Sequence, residues 1–172
     1  MEIKKVFVAG AGLMGSGISQ VCASAGLKVI ICDVVSEALE KALKNIAWSV
    51  GKFIEKQKVS GPLEAVMTRI TSTNDLTMAA EADLCIEAVF EKLELKQEVF
   101  GRLGSVVKHN IPLASNTSAI PISSLAATVP HPERVFLPWQ AHYLPEEMKG
   151  LQVSPWMQMF RNAYQWCQEG NK

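Results

Sequence analysis

The chain has 172 residues, long enough for one α/β domain with a real core and too short for two ordinary ones. Lysine plus arginine equal aspartate plus glutamate at 17 each, so no net field recruits nucleic acid or an anionic membrane surface. No apolar run approaches a membrane span, and the first strand pattern starts almost at Met1, so no leader and a cytoplasmic location are expected.

Val6-Phe-Val-Ala9 is a short apolar run of the kind that forms a strand buried on both faces. Gly10, Gly12 and Gly15 follow at G-x-G-x-x-G spacing, with Leu13 and Met14 between them, and a helical pattern runs over residues 13–25 to a Gly26 cap. In a strand–turn–helix of this type the first glycine allows the tight turn. The second lets backbone approach a pyrophosphate, and the third lets the helix lie close on the strand. A second strand over residues 28–32 ends at Asp33, about twenty positions past the glycines, where a carboxylate takes the hydroxyls of an adenosine ribose. Val34 and Val35 follow, with no basic residue to meet a 2′-phosphate, so the cofactor expected is NAD rather than NADP.

Ser36 is placed as the N-cap of a long amphipathic helix whose core stripe is Leu39, Leu43, Ile46, Val50 and Phe53. Ser49 and Lys56 are seven apart and share one side of it. A shorter helix over 63–69, a brief strand over 70–73 and a short helix capped by Asn74-Asp75 follow. Residues 83–89 read as a buried strand. The helix over 92–107 puts Leu93, Leu95, Val99, Leu103 and Val106 broadly on one side. A strand over 111–115 and a short helix opened by Pro121 complete the regular pattern. Strands alternating with helices call for a Rossmann-type, doubly wound α/β fold with a mainly parallel sheet. Residues 1–172 form one domain in this reading, with 136–172 a divergent tail that carries Trp139, Trp156 and Trp166 and an amphipathic stretch over 156–168. Cys22, Cys32, Cys85 and Cys167 show no metal-ligand spacing and suit buried thiols, while His109, His131 and His142 are scattered, so no metal is expected.

From residue 3 to about 135 the chain resembles the NAD-binding domain of the 3-hydroxyacyl-CoA dehydrogenases, including bacterial 3-hydroxybutyryl-CoA dehydrogenases. The resemblance rests on Gly10-Ala-Gly-Leu-Met-Gly-Ser-Gly-Ile18, Glu87-Ala-Val-Phe-Glu91 with Lys96, Ser115-Asn-Thr-Ser118 and His131-Pro-Glu-Arg-Val135. It implies reversible oxidation of an (S)-3-hydroxyacyl-CoA to the 3-oxoacyl-CoA. By the same resemblance Glu91 and Lys96 reach the cofactor, Asn116 lies beside it, and Ser118 hydrogen-bonds the substrate oxygen. Ser49 and Lys56 match positions that contact the coenzyme A portion of the substrate. Read on their own, Glu91 and Lys96 also suit an exposed helix charge pair, and Ser115-Asn-Thr-Ser118 suits a polar turn.

Past Val135 the chain departs from the family. The family's catalytic histidine stands in a His-Phe-Phe-Asn-Pro run and is held by a glutamate about a dozen residues on. Here His142 comes about three residues late, Tyr143-Leu144-Pro145 follows it, and Gln152 stands at the glutamate's best match. A neutral amide hydrogen-bonds an imidazole without stabilising the imidazolium formed on proton transfer. The family's helical C-terminal domain, which closes over substrate and forms its dimer, has no counterpart in the chain. Impaired turnover is therefore expected, with an acyl-CoA partner, homo-oligomerisation left open, and no nucleic-acid or membrane partner. A non-catalytic NAD(H)-binding module is the alternative from another class. A 3-hydroxyisobutyrate-type dehydrogenase shares only the opening glycine pattern.

Overall fold

The computed structural model describes residues 3–130. The chain divides between Val135 and Phe136, and the expectations for His142, Gln152, Cys167 and the 156–168 stretch fall outside the described residues.

β1 (Lys5–Ala9), β2 (Lys28–Cys32), β3 (Ile70–Thr73), β4 (Leu84–Glu87) and β5 (Leu113–Ser115) form one sheet in the order β3-β2-β1-β4-β5. Every pairing is parallel. Parallel neighbours need crossovers, and α1 (Leu13–Ser24), α2 (Ser36–Glu55), α3 (Leu63–Met67), α4 (Leu93–Val106) and α5 (Ile122–Ala126) supply helices to both faces. On one face Phe7, Ile30 and Cys85 meet Phe100 and Leu103 of α4 and Leu125 of α5. On the other, Ile31 meets Leu39 and Ala42 of α2. Val6, Phe7 and Val8 have no exposed surface, which is why this strand reads as a continuous apolar run rather than an alternating one.

Several local expectations are corrected. Ser36 is the first residue of α2 and not its cap: Val35 holds that place, and the Ser36 hydroxyl donates to Asn74 Oδ1. Within α2, Leu39, Ala42, Ile46 and Val50 are buried, whereas Phe53 is 37% exposed. A 20-residue helix is about 30 Å long. A five-residue strand spans only about 17 Å, so the end of α2 runs past the sheet. The segment after Asn74-Asp75 is a 3-10 helix, Leu76–Glu81, and Asp75 caps it by accepting from the Thr77 N–H.

The largest correction is the face of α4. Lys96, Phe100, Leu103 and Gly104 are its buried residues, and Leu93 is exposed. The expected stripe skipped Lys96 because a lysine inside an apolar face normally marks the wet side. Leu103 is buried as expected and Val99 and Val106 pack against the same core, so the contact widens to take in Lys96.

α2 closes on a left-handed residue that is not glycine. Gln57 has φ +56°, the Lys58 N–H donates to Phe53 O at 2.8 Å and the Gln57 N–H to Ile54 O at 2.9 Å. Only glycine adopts this conformation without a Cβ penalty. Gln57→Gly should therefore raise unfolding stability by up to about 1 kcal/mol, read by thermal or urea denaturation.

Candidate functional site

The carboxyl ends of β1, β2, β4 and β5 lie along one edge of the sheet, where open α/β folds bind their ligands. At the end of β1 the chain turns sharply: Gly10 has φ +107°, and a Cβ there would lie 2.5 Å from Ala88 O. A Cβ on Gly15 would lie 1.8 Å from Gly10 O, so only glycine permits α1 to start this close to the strand. A Cβ on Gly12 would meet nothing within 4 Å. Gly12 thus faces open space at the N-terminus of α1, whose first N–H groups have no intrahelical partner and point outward. An anionic pyrophosphate fits this cradle.

Asp33, at the end of β2, ties that turn to its neighbour. Its Oδ2 accepts the Ala11 N–H at 2.8 Å and its Oδ1 accepts the Val35 N–H at 3.0 Å. A carboxylate has about four lone-pair sites, so each oxygen keeps capacity for one sugar hydroxyl. Leu13, at the start of α1, and Val34 and Phe90, in the loops after β2 and β4, line this edge and are each more than four-fifths exposed. Large apolar side chains left open around a polar cradle suit the rings of a ligand.

The other half of the edge is built on buried charge. Glu87, the last residue of β4, and Lys96, in the first turn of α4, both have fully buried side chains. Lys96 Nζ donates to Glu87 Oε1 at 2.7 Å and to Oε2 at 2.9 Å, and lies 3.1 Å from Glu91 Oε2. Glu87 also accepts the Val89 N–H at 2.7 Å and the Ser115 hydroxyl at 2.5 Å, and its backbone carbonyl accepts the Asn116 N–H at 2.8 Å. The Thr117 hydroxyl donates to Glu91 Oε1. Glu91 is thereby held ionised, its carboxyl lowered below the ordinary range first by the Thr117 hydroxyl and then by Lys96.

The structure thus brings together Gly10, Gly12, Leu13, Met14, Gly15, Asp33, Glu91, Lys96 and Asn116, with Ser118 exposed in the loop after β5. Glu91 and Lys96 do pair, yet Lys96 is buried rather than on a solvated helix face. Ser49 and Lys56 are not part of this cluster. Ser49 is half-buried in α2, and Lys56 is exposed just past its last turn, about 30 Å along the helix from the Asp33 end. Glu87 and Thr117 were missed as site residues. The signal for Glu87 was present as a lone acid within the apolar run of β4, nine residues before a lysine.

A separate cavity of about 330 Å³ lies at the opposite ends of the strands, lined by Lys5, Lys28, Arg69, Thr71 and Glu81 among others. Lys5 there is paired with Glu81 at 2.7 Å, and the cavity shares no residue with the glycine turn. Among the described residues no group of three or more histidine, cysteine or acidic side chains is placed to hold a metal, and no helix is long and apolar enough to cross a membrane. Cys85 and Cys32 are buried, and burial, ahead of the nearby Asp33 charge, pushes the Cys32 thiol up to about 11.

Comparison with known proteins gives the same picture. The family model described as "3-hydroxyacyl-CoA dehydrogenase, NAD binding domain" matches residues 5–148. The probable 3-hydroxybutyryl-CoA dehydrogenase of Bacillus subtilis is 42% identical over 136 residues, which cover 78% of this chain and 47% of that protein. The mitochondrial hydroxyacyl-coenzyme A dehydrogenase of Sus scrofa is 36% identical over 139 residues, covering 77% of this chain and 44% of that one. The crystal structure of (S)-3-hydroxybutyryl-CoA dehydrogenase PaaH1 from Ralstonia eutropha superposes with a TM-score of 0.75 at 34% identity, over 79% of this chain and 48% of that one. The chain spans about half the length of these relatives.

The two inner glycines should separate experimentally. Gly12→Ala has room inside the fold, so its melting temperature should stay close to that of the parent while dinucleotide affinity falls at least about tenfold. Gly15→Ala drives a Cβ into backbone and should cost about 2 kcal/mol or more of stability. Thermal melts with and without NADH distinguish the two.

Proposed function

The chain belongs to the 3-hydroxyacyl-CoA dehydrogenase family, and from that premise we propose that it binds NAD(H) along the carboxyl edge of its sheet and serves oxidoreduction of a 3-hydroxyacyl-CoA and its 3-oxo partner. The observation that carries the reading is the joint between the glycine turn and Asp33, where one carboxylate holds the Ala11 N–H at 2.8 Å and keeps lone pairs for a ribose. A 2′-phosphate at that carboxylate would meet like charge, and Val34 and Val35 offer no cation in exchange.

The pyrophosphate is held by the α1 N-terminus above Gly12, and the adenosine ribose by Asp33. Glu91 and Asn116 bound the other half of the dinucleotide, with Glu91 kept ionised by Thr117 and Lys96. When bound, the nicotinamide supplies the hydride acceptor or donor. Ser118 donates its hydroxyl hydrogen to the substrate oxygen, and Ser49 and Lys56 take the coenzyme A portion, the lysine through its charge on a phosphate. His142 is the candidate base for the 3-hydroxyl proton.

One sequence feature favours a second reading, a dinucleotide-binding module without turnover. Gln152 stands where the family orients its histidine with a glutamate, and an amide does not stabilise an imidazolium.

Calorimetric titration with NADH, followed by NADH-dependent reduction of acetoacetyl-CoA at high protein concentration, tests both. Binding with turnover that His142→Ala abolishes supports the dehydrogenase. Binding without turnover supports the module, and no binding of NADH sinks both. NADH should bind at least about tenfold more tightly than NADPH, and Asp33→Ala should erase most of that preference.

Glu91 stays ionised below the ordinary carboxylate range, so its charge does not change between about pH 5 and 8. Its contribution to folding is present above the ordinary glutamate pKa and is lost as pH falls through its lowered native value. NADH affinity titrated across that window should accordingly show no inflection from this group.

A further inference from the structure

The reading above uses Glu91, Lys96 and Asn116 and gives Glu87 no part, yet Glu87 is the most heavily bonded acid at the site. Its two oxygens receive four hydrogen bonds from three groups: one from the Val89 N–H, two from the Lys96 ammonium and one from the Ser115 hydroxyl. A carboxylate offers about four lone-pair sites, so Glu87 has none left for a ligand. Lys96 is equally committed. Its three N–H groups are matched by Glu87 Oε1, Glu87 Oε2 and Glu91 Oε2, and its side chain is fully buried. A buried pair of charges with its hydrogen bonds complete can decide where its neighbours stand.

Those neighbours are the loops that make one half of the crevice. The Val89 N–H fixes the start of the β4–α4 loop that carries Glu91. Ser115, together with the Asn116 N–H on the Glu87 carbonyl, fixes the start of the loop after β5. Lys96 then holds Glu91 from below while Thr117, from the second loop, holds it from the side. Glu91 is itself 43% exposed and is the outermost member of the chain of contacts. With the adenosine ribose on Asp33 beside β1 and β2, a dinucleotide laid along this edge would bring its nicotinamide riboside over β4 and β5.

We propose that Glu87 is a positioning residue for the nicotinamide-riboside half of the site, acting through Lys96 on Glu91 and through Ser115 on the loop that carries Asn116 and Ser118. This rests on the dinucleotide reading above. Removing the charge of Glu87 leaves Lys96 bonded chiefly to Glu91, which is drawn inward, and releases Ser115 and Val89. The adenosine half keeps Asp33 on the Ala11 N–H and the close approach of Gly15 to Gly10, neither of which involves a bond to the Glu87 carboxylate.

The test compares two ligands that share the adenosine and phosphates but differ at the far end. Titration calorimetry with NADH and with ADP is run on the parent chain and on Glu87→Gln. The expected result is a loss of about tenfold in NADH affinity with ADP affinity changed less than about twofold. An equal loss for both ligands means a purely structural role and overturns the proposal, as does unchanged NADH binding. Failure of the parent to bind either ligand instead rejects the dinucleotide reading itself.

Because Glu87→Gln leaves a buried ammonium short of charge, Ser115→Ala serves as the milder variant, removing one of the four bonds. It should weaken NADH alone, by roughly threefold. Glu91→Gln combined with Glu87→Gln should cost less than the product of the two single losses, since both act on one carboxylate. Independent, multiplicative losses would show that Glu87 does not work through Glu91.

Discussion

The carboxyl edge of the sheet depends on how closely α1 approaches the turn that ends β1. The separation is so small that a Cβ on Gly15 would fall 1.8 Å from Gly10 O, inside any van der Waals contact. That approach sets the helix N-terminus over the crevice and leaves Gly12 open to it. It also brings Ala11 within reach of Asp33 on the adjacent strand. The constraint is steric and backbone-based, so no side chain can compensate for its loss. Exclusion of side chains is what makes room for a ligand of high negative charge, which the helix N-terminus then attracts.

The two halves of the crevice are stabilised by different physics. Over β1 and β2 the cradle is made by the glycines and one carboxylate, and past their opening lysines the strands beneath are apolar and buried. Over β4 and β5 a buried ion pair replaces hydrophobic contact at the rim. An isolated buried charge is costly, several kcal/mol per ion, and is tolerated only when its hydrogen bonds are complete. Glu87 and Lys96 meet that condition. A complete network of this kind gives direction rather than net stability, which suits a place where loops must hold a fixed geometry. Its outermost carboxylate, Glu91, remains ionised and partly exposed as a result.

Much of this was legible from the chain itself, for stated reasons. Periodicity and glycine spacing located β1, α1 and β2 closely, because these elements are bounded by residues with hard conformational rules. Asp33 was found by its distance from the glycines. Lys96 was left off the α4 face because periodicity treats lysine as a surface residue, and here the ammonium is neutralised by a partner nine residues earlier on another element. Phe53 was taken as core although the sheet beneath α2 ends before the helix does. Ser49 lies on α2 and Lys56 caps its end, but helical spacing says nothing of their distance from the glycine turn.

The sequence by itself determined the order of elements, the parallel doubly wound class and the dinucleotide turn. Each follows from local rules: apolar runs, alternation of strand and helix, and the steric freedom of glycine. Its motifs also determined the family, which the comparisons bear out. Tertiary structure alone decided that Glu87 and Lys96 are buried together, that Asp33 closes on Ala11, and that Thr117 holds Glu91. Those contacts join residues from different elements, and the protonation and burial of a charge depend on what the fold places around it. The glycine turn could be read as a cradle from its spacing. That its opposite wall is oriented by a saturated pair of buried charges is a property of the packed sheet.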